Sequence, residues 1–167
     1  RLDYLIVAVS ILSFETVMRK VSRCLAAAEA ARPGAADMLI VDVLSVKMHA
    51  RTTMLALLPD ACDVLCTHPM FGPESGKHGW DGLPFVFDCV RVAGSRYSTD
   101  RSVDTFTTPT EERSERRIEG KARADQFIRI FSEAGCAMVE MTCNMHDAHA
   151  AGSQFVTHFA GRMFDRL

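Results

Sequence analysis

The chain has 167 residues, the size of one ordinary domain, and its 48% hydrophobic and 24% charged residues are a globular balance, not a disordered one. Lys and Arg number 19 against 21 Asp and Glu, and the net charge of −2 excludes a strongly basic nucleic-acid surface or a polybasic membrane anchor as the dominant property. The apolar runs fall well short of the ~20 residues that a membrane-spanning helix requires.

Residues 3–9 (DYLIVAV) are short, apolar and rich in β-branched side chains, which predicts a strand buried on both faces. A helix follows, with Phe14, Val17, Met18, Val21 and Leu25 on one stripe, Ser13 placed to cap it and Glu15 favourable in its first turn. Pro33-Gly34 closes this unit. Residues 37–43 (DMLIVDV) read as a second buried strand, 47–58 as a helix stopped by Pro59, and 63–67 (DVLCT) as a third strand. Residues 68–84 hold four glycines and three prolines and read as a long ordered loop, after which 85–92 (FVFDCVRV) form another strand. Residues 98–120 are polar, carry charges of both signs and show no apolar period, so a surface insertion is expected there. A helix resumes near Lys121 with Phe127, Ile130, Phe131 and Ala134 on one face and Gly135 as its stop. Residues 136–141 are the last strand, and from Asn144 the pattern is helical, with Ala148, Ala151, Phe155, Phe159 and Met163 as the apolar stripe.

Buried strands alternating with helices imply an α/β fold, a mainly parallel sheet joined by right-handed crossovers. The six cysteines form no C-x-x-C pair and lie mostly in apolar segments, which suits free thiols in a reducing compartment. The chain opens on Arg1 with no start methionine, signal peptide or transit peptide, so an internal piece of a longer protein is expected.

In an open parallel sheet, ligands bind outside the carboxyl ends of the strands. Those ends carry Ser10 and Ile11, then Ser45 and Lys47, then Thr67, His68 and the glycine-rich loop. Ser45 and His68 fall on neighbouring strand ends, a hydroxyl beside an imidazole suited to moving a proton off a substrate alcohol. Two plainer readings stand beside this one: Ser45 as the cap of the helix starting near Lys47, and His68 as a loop histidine bonded for structure. Lys77 could attract an anion or be an ordinary exposed lysine. His146 and His149, at i and i+3, could bind a metal such as zinc, but no nearby cysteine or carboxylate completes the set and no metal site is expected. His158 reads as a partly buried structural histidine. No Gly-x-Gly-x-x-Gly occurs, so the phosphate-cradling turn of a complete dinucleotide-binding domain is absent.

Three motifs in order then carry a resemblance: Asp42-Val43-Leu44-Ser45-Val46-Lys47, the run Thr67-His68-Pro69-Met70-Phe71-Gly72-Pro73-Glu74-Ser75-Gly76-Lys77, and His146-Asp147 followed by Gly152-Ser153-Gln154-Phe155-Val156-Thr157-His158. Together they resemble the arogenate/prephenate dehydrogenases, in the plant-like or algal version, over nearly the whole chain except 98–120. The resemblance implies a partial Rossmann-like domain over 1–142, lacking its first βαβ unit, and the start of an α-helical dimerisation domain over 143–167. It implies oxidative decarboxylation of a cyclohexadienol, arogenate or prephenate, with hydride transfer to NADP or, alternatively, NAD. By motif position His68 and Ser45 are catalytic, with Ser45 also beside the cofactor. Gln154, His158, Gly72, Ser75 and Lys77 bind substrate, and Ser10, Ile11 and Pro69 lie at the cofactor. A homodimer of the full-length protein and a plastid or cytoplasmic location follow from the same resemblance. Met145 departs from the acid or Asn usual before His146 and cannot pair with the ammonium of arogenate. A truncated or degenerate member that dimerises or binds ligand without turnover is the competing reading, and a zinc hydrolase using His146 and His149 is a third.

Overall fold

The computed structural model describes residues 2–72, 74–92 and 111–152, with side chains from residue 118 onward in the last stretch. Its elements are β1 (Tyr4–Val7), α1 (Ile11–Ala31), β2 (Leu39–Asp42), α2 (Lys47–Leu57), β3 (Asp63–Pro69), β4 (Pro84–Arg91), α3 (Glu111–Glu133) and β5 (Ala137–Glu140). A further helix, α4, starts at 143 and is described to 152. Among the described residues the strands form one sheet in the order β1-β2-β3-β4-β5. Neighbours run parallel except β3 and β4, which are antiparallel.

This topology decides which face each helix covers. The β1-α1-β2 and β2-α2-β3 crossovers advance across the sheet in one direction, so one handedness puts α1 and α2 on the same face. At β4 the strand direction reverses while the advance continues, and the same handedness puts α3 on the opposite face. The period-2 alternation of the strands follows suit. Ile40, Val64 and Cys66 pack with Phe14, Met18, Ala50 and Met54 under α1 and α2. Leu39, Val41 and Leu65 pack with Phe85, Ala124 and Phe127 under α3. Both β2 and the first six residues of β3 are buried on both faces, as their unbroken apolar runs predict.

Four expectations are corrected. β1 is an edge strand with Ile6 exposed, not a strand buried on both faces, because only β2 flanks it among the described residues. The N-cap of α1 is Ser10, one turn before Ser13, and its hydroxyl bonds Ser13 Oγ at 3.0 Å, not a helix amide. The segment 111–120 is the start of α3, not part of an insertion. Its sequence is dense in charge, with Glu119 four residues before Arg123, and such a run shows no apolar period. Residues 98–110 lie outside the described residues. β3 continues to Pro69, so His68 belongs to the strand, paired with Val86, and not to the loop after it.

Arg123 on α3 reaches across to Asp37 at 2.5 Å and Asp63 at 3.0 Å, tying α3 to the leading ends of β2 and β3. The glycine-rich connection between β3 and β4 is held by aromatic rings: Phe71 lies 5.5 Å from Trp80, which stacks on Phe131 at 5.4 Å. Gly135 ends α3 with φ +84°, and a Cβ there would come 2.5 Å from Asp81 Oδ1. Gly135→Ala is therefore expected to destabilise by at least about 1–2 kcal/mol through the left-handed backbone alone, read as a lower thermal midpoint.

A candidate active site at the carboxyl ends of β2 and β3

The turn from β2 into α2 is built around Asp42. Its Oδ1 accepts the Leu44 N–H at 3.0 Å, closing the turn, and also the ammonium of Lys47. Lys47 is the first residue of α2, yet its side chain is buried and its Nζ also donates to the Thr67 carbonyl at 2.5 Å. Thr67 Oγ1 in turn donates to the Asp42 carbonyl at 2.6 Å. One buried cation thus joins the end of β2 to the end of β3, with Ser45 exposed on one side of the joint and His68 on the other. Burial pushes the Asp42 carboxyl up, and the charge and hydrogen bond of Lys47 oppose that.

His68 has the same strand parity as Val64 and Cys66 and so belongs to the α1/α2 face. The residue is only 8% exposed and its Nδ1 lies 2.9 Å from His146 Nε2 on α4, the rings edge to face. His146 Nδ1 lies 2.8 Å from Asp147 Oδ1. The Asp147 carboxylate also accepts both opening amides of α2, Lys47 N–H and Met48 N–H, each at 2.8 Å. A residue 100 positions later therefore caps α2. That overturns the reading of Ser45 as the cap: the N-cap position is Val46, and no side chain of the turn bonds the helix amides. Burial works against ionisation of Asp147, but the two amides and the His146 ring outweigh it and hold its pKa below the ordinary carboxylate value.

Burial also lowers the pKa of His68, helped by neighbouring His146 and the Lys47 ammonium and opposed by Asp147, to about 4. The imidazole is thus neutral at physiological pH. Its described hydrogen bond runs through Nδ1 to His146, not to Ser45, and Nε2 has no partner among the described residues. Ser45 and His68 therefore share one rim of one face without bonding each other.

The other expected site residues are distributed as follows. Ser10 and Ile11 start α1 at the end of β1, on the rim that carries Ser45, and Pro69 ends β3. The Gly72 N–H bonds Ser75 Oγ at 3.0 Å, a closed loop turn. Lys77 is exposed and paired with Glu74 at 2.8 Å, the ordinary surface arrangement. Gln154 and His158 lie outside the described residues. His146 is turned to His68 rather than to His149, and among the described residues no group of three potential metal ligands exists. Sequence reasoning singled out His146 and Asp147 only as a metal candidate and as part of a motif. The available signal was an adjacent acid–imidazole pair in the first turns of a helix that follows the last strand.

No protein-family model matches the chain. It is 48% identical over 130 residues to arogenate dehydrogenase 2, chloroplastic, of Arabidopsis thaliana, covering 77% of this chain and 30% of that protein. It is 49% identical over 129 residues to arogenate dehydrogenase 1, chloroplastic, of the same plant, covering 77% of this chain and 17% of that protein. The chain thus spans a third or less of the length of these relatives. In three dimensions it is similar to prephenate dehydrogenase from Aquifex aeolicus, with a TM-score of 0.61 at 16% identity over 99% of this chain and 49% of that one. A second structure of that enzyme, in complex with hydroxyphenyl propionate and NAD+, gives the same TM-score over 47% of its chain. The fold is therefore Rossmann-like.

The depressed pKa of His68 has a direct test. Between the ordinary histidine value of 6.5 and about 4, the unfolded chain carries a proton on this ring that the folded chain does not. Its stabilising contribution is complete above pH 6.5 and lost as pH falls to about 4. The His68 ring proton resonances should titrate near pH 4, and His68→Gln should flatten the fall of the thermal midpoint over that interval. A ring that titrates near 6.5 would show it to be solvated.

Proposed function

The chain belongs to the arogenate/prephenate dehydrogenase family, and on that premise we propose that it carries the catalytic rim of an enzyme that oxidatively decarboxylates a cyclohexadienol. Arogenate is the proposed substrate and prephenate the alternative, with tyrosine or 4-hydroxyphenylpyruvate as product. The observation that carries this reading is His68, a buried neutral imidazole with one ring nitrogen held by His146 and the other without a described partner. Such a nitrogen can accept the proton of a substrate hydroxyl.

A nicotinamide dinucleotide, NADP by the plant-like motifs and NAD as the alternative, supplies the hydride acceptor when bound. The residues present fit its reactive half. Ser10 and Ile11 open α1 without a side-chain cap on its amides, and Ser45 has an exposed hydroxyl on the same rim. Ser45 positions the dienol and the cofactor ring against each other, and His68 orients the ring hydroxyl through Nε2. As the hydride leaves the hydroxyl-bearing carbon, His68 takes the hydroxyl proton. Cleavage of the bond to the carboxylate releases carbon dioxide and returns its electron pair to the ring. The resulting phenolate recovers the proton from His68, so no net proton is consumed. Aromatisation supplies the driving force, and the protein's task is to position and polarise.

Gln154 and His158 are proposed at the substrate side chain and carboxylate, and Gly72, Ser75 and Lys77 at the mouth of the site. The chloroplastic names of the relatives support a plastid location. A homodimer through the helical region beginning at 143 is proposed for the full-length protein.

The test is an assay of the full-length protein with arogenate and prephenate, each with NADP and NAD. His68→Ala should lower kcat by about 10²–10⁴, the scale of a lost general base, with little change in KM. Unchanged turnover would remove His68 from this role. Ligand binding without turnover in all four assays would favour the binding-module reading.

A further inference from the structure

We infer that His146 and Asp147 are positioning residues that fix the tautomer of His68, so that the proton of its neutral ring is on Nδ1 and the lone pair is on Nε2. This rests on the proposed role of His68 and extends it to two residues on another helix. The assignment follows from what each group can do in a hydrogen bond.

Asp147 is ionised and can only accept. Two of its interactions are already amide donors from α2. His146 Nδ1, 2.8 Å from Oδ1, must therefore carry a hydrogen. In a neutral imidazole that leaves His146 Nε2 bare, an acceptor. His68 Nδ1, 2.9 Å away, must then be the donor, and its Nε2 is left with the lone pair. The proton order is set from one end of the chain of groups, by a carboxylate that itself anchors the start of α2.

The opposite order requires His146 to be a cation that donates to His68 and forces a hydrogen onto His68 Nε2. The surroundings oppose it. That order would bury a positive charge against the neutral His68 ring, with the Asp147 carboxylate, whose oxygens already accept the two α2 amides, as its counter-charge. In water an isolated imidazole is free to exchange between its two tautomers. Here the wrong one would leave a buried Nδ1 facing the bare Nε2 of His146, two acceptors in contact.

The inference is tested on full-length protein labelled with ¹⁵N-histidine, with the His68 signals assigned from the spectrum of His68→Gln. At neutral pH the wild-type ring should show a protonated Nδ1 and an unprotonated Nε2. His146→Phe should shift His68 toward the Nε2-protonated form and lower kcat on the order of 10²-fold with KM for the dienol changed less than about threefold. His146→Gln places an amide oxygen where Nε2 was, and should restore the Nδ1-protonated form and part of kcat. A merely structural role would lower the thermal midpoint in both variants and leave the tautomer alone. A wild-type His68 protonated on Nε2, or a tautomer unchanged in His146→Phe, overturns the inference, and the wild-type spectrum decides even if that variant fails to fold. If the full-length protein turns over no dienol, the proposed function fails while the spectra still decide the proton order.

Discussion

The ammonium group of Lys47 is the constraint on which the geometry of the rim depends. Two strand ends of a parallel sheet carry no covalent link and are free to splay. Here a single buried cation binds the Asp42 side chain at the end of β2 and the Thr67 carbonyl at the end of β3. A cation so placed is stable only with its partners: removal of the Asp42 carboxylate would leave it buried and uncompensated. Its second effect is electrostatic. It lies close enough to His68 to disfavour the imidazolium, so the group that fixes the rim also helps keep that imidazole neutral.

A second bond system approaches the same rim from the opposite direction. The chain leaves β5 on the α1/α2 face, where Cys143 packs among the side chains under those helices. The first turns of α4 then reach the start of α2. Asp147 satisfies α2's opening amides and His146 meets His68. One carboxylate thus caps α2 and holds the ring that meets His68.

Much of this was legible from local pattern. The unbroken apolar runs of β2 and β3 announced strands covered on both faces, and the family motifs together with strand-end logic placed Ser45 and His68 on one rim. What was not legible depended on contacts distant in sequence. Nothing in the spacing of His146 and Asp147 reveals that they face residues 78 and 100 positions earlier, because helical spacing reports only neighbours on the same helix. The start of α3 escaped for a different reason: a helix whose opening turns are mostly charged gives no hydrophobic period to detect. Ser13 has a residue type that suits a cap, as does Ser10, and only the backbone places the cap at Ser10.

The long-range cap also bears on how the protein is made. During synthesis α2 leaves the ribosome well before Asp147 does, since 100 residues separate them. Until α4 arrives, the first turn of α2 has water in place of the carboxylate, and His68 has no partner to set its proton. The nascent chain thus holds an incomplete rim, and its bonds close only after translation has passed β5 and the start of α4.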